Sequence, residues 1–278
     1  MAEITPGDFD RAAAQLHARA GIVLGAHKKD MVCRTLAQRA HAAGIPTVRQ
    51  YLDQLERNPR WPEWENFVNA FTINHTAFFR ERHHFDILAD FVRTRHKPIS
   101  VWCSAASTGE EAYSIAMTLR ETLGHPGTGV SVWATDIDTA AIQKAREGIY
   151  PIERVKPVPQ ECLQKYFQRG KGPRAGQVRV KETLRSMIEF GVFNLLQEDW
   201  PPPASFDAIF CRNTMIYFDK PTQTRILGRF APTLKKGGLL FAGHSENFTY
   251  LTNAFRLQGQ TVYVKSGPCA GMTGGRES

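Results

Sequence analysis

After Pro98 the chain alternates between short apolar runs and amphipathic stretches. ISVWCSA, VSVWATDI, MIEFGVFNLL, FDAIFCRN, GGLLFAGHSE and TVYVK read as strands, while GEEAYSIAMTLRETLG and TAAIQKAREGIY read as helices. Strands separated by helices of this length pack as a parallel sheet with helices on both faces, so the pattern predicts an α/β domain. Ligands of such sheets bind beyond the carboxyl ends of the strands, near the switch point. The ends of the first four strands are therefore where chemistry is expected.

Before Pro98 the pattern is helical. FDRAAAQLHARAGI, KKDMVCRTLAQRAHAAGI and TVRQYLDQL each end on a Gly, Pro or Asn signal, and NPRWPEWENFVNAF adds a further short helix. The reading is a small all-helical domain over 1–72, a linker over 73–97 that includes the helix HFDILADFVRTRH, and the sheet domain over 98–266. Within the latter, RGKGPRAGQVRVKETLR breaks the alternation and reads as a small β insertion at about 168–188. The Gly-rich tail, 267–278, reads as disordered.

No apolar run approaches the roughly 18 residues of a membrane span, and the amino terminus lacks the apolar stretch of a secretory signal. A cytoplasmic location is expected. Cys33, Cys103, Cys162, Cys211 and Cys269 are odd in number and none stand at C-x-x-C spacing, which disfavours a zinc site or a disulfide framework. His75, His83 and His84 lack further ligands at a coherent distance, so no metal is expected.

The first strand closes on Cys103-Ser104-Ala105-Ala106-Ser107-Thr108-Gly109-Glu110-Glu111, small residues that let a ligand approach the backbone. It is neither G-x-G-x-x-G nor a P-loop, which disfavours nicotinamide chemistry and nucleotide hydrolysis. The second strand ends at Asp136, suited to the two hydroxyls of a ribose; Asp138 reads better as the cap of the next helix. A nucleoside site without phosphate-binding glycines points to S-adenosylmethionine. Glu111 would then face a positively charged part of that cofactor.

The strings FTINHTAFFRERHHF, SAASTGEEAYSIAM, FDAIFCRNTMIYFDK and GGLLFAGHSENF resemble those of the chemotaxis receptor methyltransferases, the CheR family, in unbroken order from about Phe9 to Val264. The resemblance implies a Rossmann-like methyltransferase domain preceded by a helical domain. It implies cofactor contacts from Asn74, Thr76 and Arg80 of the linker, from Glu111 and Asp136, from Asn194 and Leu195 at the adenine, and from Cys211, Arg212 and Asn213 at the methionine end. Tyr217 would face the methyl group beside Arg80, and these two are the expected catalytic residues.

The implied reaction transfers a methyl group to glutamate side chains on the cytoplasmic helices of methyl-accepting chemotaxis receptors. A glutamate is already ionised at neutral pH, with a reference pKa of about 4.3, so no general base is required. The resemblance also implies receptor contacts through a basic helix, His27 to His41 with Lys28, Lys29, Arg34 and Arg39, and through the β insertion. The insertion would take the receptor's carboxyl-terminal peptide as an added strand. A monomer is the simplest expectation.

The formal charge of +8 raises a nucleic-acid methyltransferase as an alternative, and a non-catalytic S-adenosylmethionine-binding scaffold as another. Its distribution argues against the first. Residues 144–185 carry 11 Lys+Arg and 4 Asp+Glu, net +7, whereas residues 98–143 carry 1 and 5, net −4. A local basic patch beside an acidic cofactor half suits an acidic protein substrate and a cationic cofactor, not a nucleic acid.

Overall fold

The computed structural model describes residues 5–124 and 129–266; the tail expected to be disordered lies outside the described residues. α1 (Pro6–Ala20) opens on a reciprocal cap, in which Thr5 Oγ1 accepts from the Asp8 amide and the Asp8 carboxylate accepts from the Thr5 amide. It packs with α2 (Lys29–Ala42), α3 (Val48–Arg57) and α4 (Glu63–Asn69). α3 shows why: its buried residues Val48, Tyr51, Leu52 and Leu55 fall on one helical stripe and meet Leu16, Leu36 and Phe67 of the other three. Glu63 is buried in this domain and accepts from Arg39 Nε at 2.9 Å and from the Tyr51 hydroxyl at 3.0 Å. Arg39 is thus spent inside the domain, which removes it from the basic row expected on His27 to His41.

α5 (His83–Arg93) leads into the sheet domain. Its strands are β1 (Ile99–Cys103), β2 (Val130–Asp136), β3 (Ile149–Pro151), β4 (Phe167–Arg169), β5 (Gln177–Val180), β6 (Ile188–Val192), β7 (Phe206–Cys211), β8 (Leu234–Ala242), β9 (Phe255–Gly259) and β10 (Val262–Lys265). Seven form the main sheet in the order β6-β2-β1-β7-β8-β10-β9. The first five are parallel, and the β9–β10 hairpin closes the edge antiparallel. This is the α/β fold expected, with helices on both faces. Alternation along β1 sends Val101 and Cys103 to one face against Ile115 of α6 (Glu110–Leu123). Trp102 goes to the other face, with Ile226 and Phe230 of α10 (Lys220–Thr233).

Three strands lie outside the runs read as strands: β3 and β4 are three residues each, too short for a periodic signal, and β9 alternates only over Phe255-Arg256-Leu257-Gln258. β9 is an edge strand with most side chains exposed. β3 matters because the small sheet, β3-β5-β4, takes it as a member. The QVRVK run is the central strand β5, but the small sheet begins at Ile149, well before the 168–188 span expected. The remaining helices are α7 (Thr139–Glu147), α8 (Gln160–Tyr166) and α9 (Glu182–Arg185). Among the described residues, no helix is long and apolar enough to cross a membrane.

Candidate active site

β1 lies between β2 and β7, so successive crossovers leave it in opposite directions and a crevice opens above its carboxyl end. The cleft there holds about 910 Å³ of space, its open mouth included. Ser104, Ala105 and Ser107 follow β1, Asp136 ends β2, and Asn194 and Leu195 come after β6. Arg212, Asn213 and Tyr217 follow β7, and the linker supplies Asn74, Thr76 and Arg80. The loop after β1 turns into α6 at Gly109, whose φ is 99°. A Cβ there would stand 2.9 Å from Ala145 Cβ and from the Tyr150 hydroxyl, so this glycine serves the turn and close packing.

The Asp136 carboxylate is held from behind. Its Oδ2 accepts from the Ser107 amide at 2.8 Å and its Oδ1 from the Asp138 amide at 2.9 Å. Each oxygen keeps a second lone pair, the acceptor pattern a vicinal diol needs. Burial pushes its pKa up against the pull of those amides. Asp138 caps α7 by accepting from the Ala141 amide at 2.9 Å, as expected of it. Its other oxygen accepts from the Thr72 hydroxyl at 2.5 Å and from Asn74 Nδ2 at 2.7 Å, which ties the linker to the strand end. Asn74 Oδ1 accepts in turn from the Ser107 hydroxyl.

Glu111 does not stand alone in the cleft. Its Oε2 accepts from Arg212 Nη1 at 2.8 Å, and Arg212 Nη2 lies 3.2 Å from Glu81 and donates to the Arg80 carbonyl at 2.5 Å. Burial pushes Glu111 up in spite of Arg212. Burial also acts on Glu81, but Arg212 and the His244 amide outweigh it and hold Glu81 down. Arg80 differs from Arg212: Nη1 donates to the His75 carbonyl at 2.9 Å, and among the described residues its guanidinium forms no ion pair. Burial raises the pKa of Tyr217, with the charge of Arg80 opposing it. The Lys28 ammonium stands 5.8 Å from the centre of the Tyr217 ring.

Ten of the eleven residues expected at the site line this cleft. Cys211 does not. It is fully buried in the core of the α10 face with Ile209 and Leu240, because the strand's alternation directs its side chain away from the crevice. Asn194 lines the cleft, but its amide is spent on the Arg19 carbonyl at 2.7 Å and the Leu196 amide at 2.9 Å. Sequence reasoning missed three groups. Ala20 and Ile22 of the helical domain form one wall; Glu81 shares Arg212; and Glu246 accepts from the amides of Asn213, Thr214, Met215 and Gly243. Glu81 and Glu246 stood in the quoted strings, but nothing in a string reports that a carboxylate folds back onto a distant loop. No group of three or more His, Cys, Asp or Glu among the described residues could hold a metal ion.

A nucleoside with a cationic sulfonium fits these residues. Asp136 presents a buried carboxylate for the ribose, the small residues after β1 permit close approach, and Leu195 and Ile137 offer apolar walls for a base. The doubly wound sheet and this cleft together define an S-adenosylmethionine-dependent methyltransferase. Residues 74–264 match the model of the CheR methyltransferase SAM-binding domain, and residues 7–72 match that of the CheR methyltransferase all-alpha domain. The chain belongs to the CheR methyltransferase family, and its cofactor is S-adenosylmethionine. It is 52% identical to the chemotaxis protein methyltransferase of Klebsiella aerogenes, over 94% of this chain and 90% of that one. With that of Escherichia coli it shares 51% identity over 95% and 92%. With chemotaxis protein methyltransferase 2 of Pseudomonas aeruginosa it shares 48% over 93% of each.

Proposed function

We propose that this methyltransferase esterifies glutamate side chains on the cytoplasmic helices of chemoreceptors, in the adaptation step of chemotaxis. The observation that carries the reading is the contrast between the two arginines of the cleft. Arg212 is held between Glu111 and Glu81, whereas Arg80 lines the same cleft without a carboxylate partner among the described residues. A guanidinium beside Tyr217 that no described carboxylate neutralises suits an incoming carboxylate, which it can hold by paired hydrogen bonds. The relatives' name, chemotaxis protein methyltransferase, supports the same process.

When bound, the cofactor supplies a methyl group on a cationic sulfonium. The protein's own residues would do the rest. Asp136 holds the ribose hydroxyls, Leu195 packs on the base, Asn74 and Thr76 close the linker side, and Asn213 meets the methionine end. Glu111 and Glu81 share the single cation Arg212 there, and this excess of acid over base favours the cofactor's ammonium. Arg80 orients the substrate carboxylate, which is ionised and needs no base, and Tyr217 confines the methyl region with ring and hydroxyl. Alignment of nucleophile and methyl supplies most of the acceleration. The products are a glutamyl methyl ester and S-adenosylhomocysteine.

Docking would use the basic small sheet, whose β5 and flanking turns carry Arg174, Arg179 and Lys181. The experiment is transfer of labelled methyl to receptor fragments and to RNA. Label on the receptor fragment that is released as methanol by mild base is the expected result; base-stable label, or label on RNA alone, refutes the reading. Arg80→Ala should keep the fold but lose turnover by about 100-fold or more, the scale of one lost charge-assisted orienting contact in a closed site.

A further inference from the structure

Glu246 lies in the GHSE string after β8, outside every role assigned above, and its side chain does not line the cleft. It is 4% exposed, and it has no cationic partner among the described residues. Its carboxylate is instead filled by backbone. Oε2 accepts from the amides of Gly243 at 2.5 Å and Asn213 at 3.0 Å, and Oε1 from those of Thr214 at 2.9 Å and Met215 at 2.7 Å. Three of these donors belong to the turn that follows β7 and carries Tyr217. That turn needs a hold, because Asn213 sits at a φ of 57° and Met215–Tyr217 form a single 3-10 turn, whose first amides have no partner of their own. A buried carboxylate without a counter-ion is costly unless several donors saturate it, and here four do.

We infer that Glu246 is a positioning residue for methyl transfer: it clamps the 213–217 turn and so sets where Tyr217 meets the reacting methyl. On the far side the same turn is held by the helical domain, through the Val23 amide on the Tyr217 carbonyl at 2.8 Å and the bridge between Ile22 and Phe218. Glu246 therefore opposes a strap from another domain, and the Tyr217 backbone is gripped between them. A glutamine at this position cannot serve. It offers one oxygen in place of two, and its NH2 would face amides that also donate.

The inference rests on the role proposed for Tyr217, and the test separates the two. Turnover on a receptor fragment is measured for wild type, Glu246→Gln, Tyr217→Phe and the double variant. Glu246→Gln should lower kcat by roughly 10- to 100-fold, the scale of two lost charge-assisted hydrogen bonds transmitted to the site. In the Tyr217→Phe background the same change should cost about threefold or less, because residues acting through one another are not additive. Wild-type turnover by Tyr217→Phe would sink the role of Tyr217 itself. Equal losses from Glu246→Gln in both backgrounds would leave that role standing and overturn the clamp. The second readout does not need turnover. With 3-fluorotyrosine at position 217 of the full chain, Glu246→Gln should shift or broaden the fluorine resonance; an unchanged spectrum overturns the inference. If Glu246→Gln does not fold, Glu246→Asp takes its place, and failure of both to fold and to bind S-adenosylhomocysteine assigns Glu246 to stability alone.

Discussion

Replacing Arg212 by methionine tests the electrostatics of the cleft most directly. The guanidinium side chain is fully enclosed, and the Glu111 and Glu81 side chains it joins are each only 11% exposed. Methionine fills much of the same volume, so the dominant effect is two buried carboxylates left without their cation. Removal of one partner from a buried pair costs about 3–5 kcal/mol, a factor of roughly 150 to 5,000 in the folding equilibrium. The sign with pH follows from the carboxylates. Without Arg212 both acids should titrate above their ordinary range, where Glu111 already lies because of burial. An acid whose folded pKa is raised gives stability that is complete below its unfolded pKa and is lost as pH rises through the folded one. In the wild type, Glu81 behaves oppositely, being held down, and its contribution fades only as pH falls. Both effects make the deficit of Arg212→Met large near about pH 8 and smaller near about pH 5. Urea unfolding followed by the fluorescence of the five tryptophans would measure it. Adding Glu111→Gln to Arg212→Met should recover part of the loss. A deficit under about 1 kcal/mol, or one that does not change with pH, would refute the claim that Arg212 compensates two buried charges.

Asp136→Asn should weaken S-adenosylhomocysteine binding by about 10- to 100-fold in calorimetry while the protein stays folded, since the Ser107 and Asp138 amides then face a group that accepts less well. His84 is fully buried, its Nε2–H donates to the Gln260 carbonyl at 2.8 Å, and burial pushes its pKa down to about 4 from 6.5. The unfolded chain therefore binds a proton in that interval that the folded chain refuses, so stability should fall as pH drops from 6.5 toward 4; denaturation of His84→Gln across that range should show a flatter slope. Gly243→Ala would bring a Cβ to 2.4 Å from Asn213 Nδ2 and 2.8 Å from its backbone nitrogen. It should cost about 1–3 kcal/mol of stability and weaken cofactor binding together, both measurable by thermal shift with and without S-adenosylhomocysteine.

Much of this protein is legible from residue order. The alternation after Pro98 determines the parallel sheet, because a buried strand and an amphipathic helix each impose a period that side chains must obey. Sheet topology then determines that the loops after β1, β2, β6 and β7 meet, so Asp136 and the small residues of the first loop could be assigned to one site in advance. What the string does not carry is which partner a polar side chain takes once the chain has folded. Glu111 and Asp136 look alike in sequence, yet Arg212 neutralises one and two amides cradle the other. Arg39 and Lys28 belong to one basic stretch of sequence, yet Glu63 draws Arg39 into the helical domain while Lys28, in the 3-10 turn before α2, stands over Tyr217. Cys211 immediately precedes the cleft residues Arg212 and Asn213 and still faces the core. Periodicity is a local property fixed by backbone geometry, whereas ion pairing and amide capture depend on groups brought together from distant parts of the chain. The sequence by itself determined the sheet, the helical domain and the place of the cleft; only the tertiary structure decided which charges in that cleft are paired, as Arg212 is with Glu111 and Glu81, and which, like Arg80, form no ion pair among the described residues.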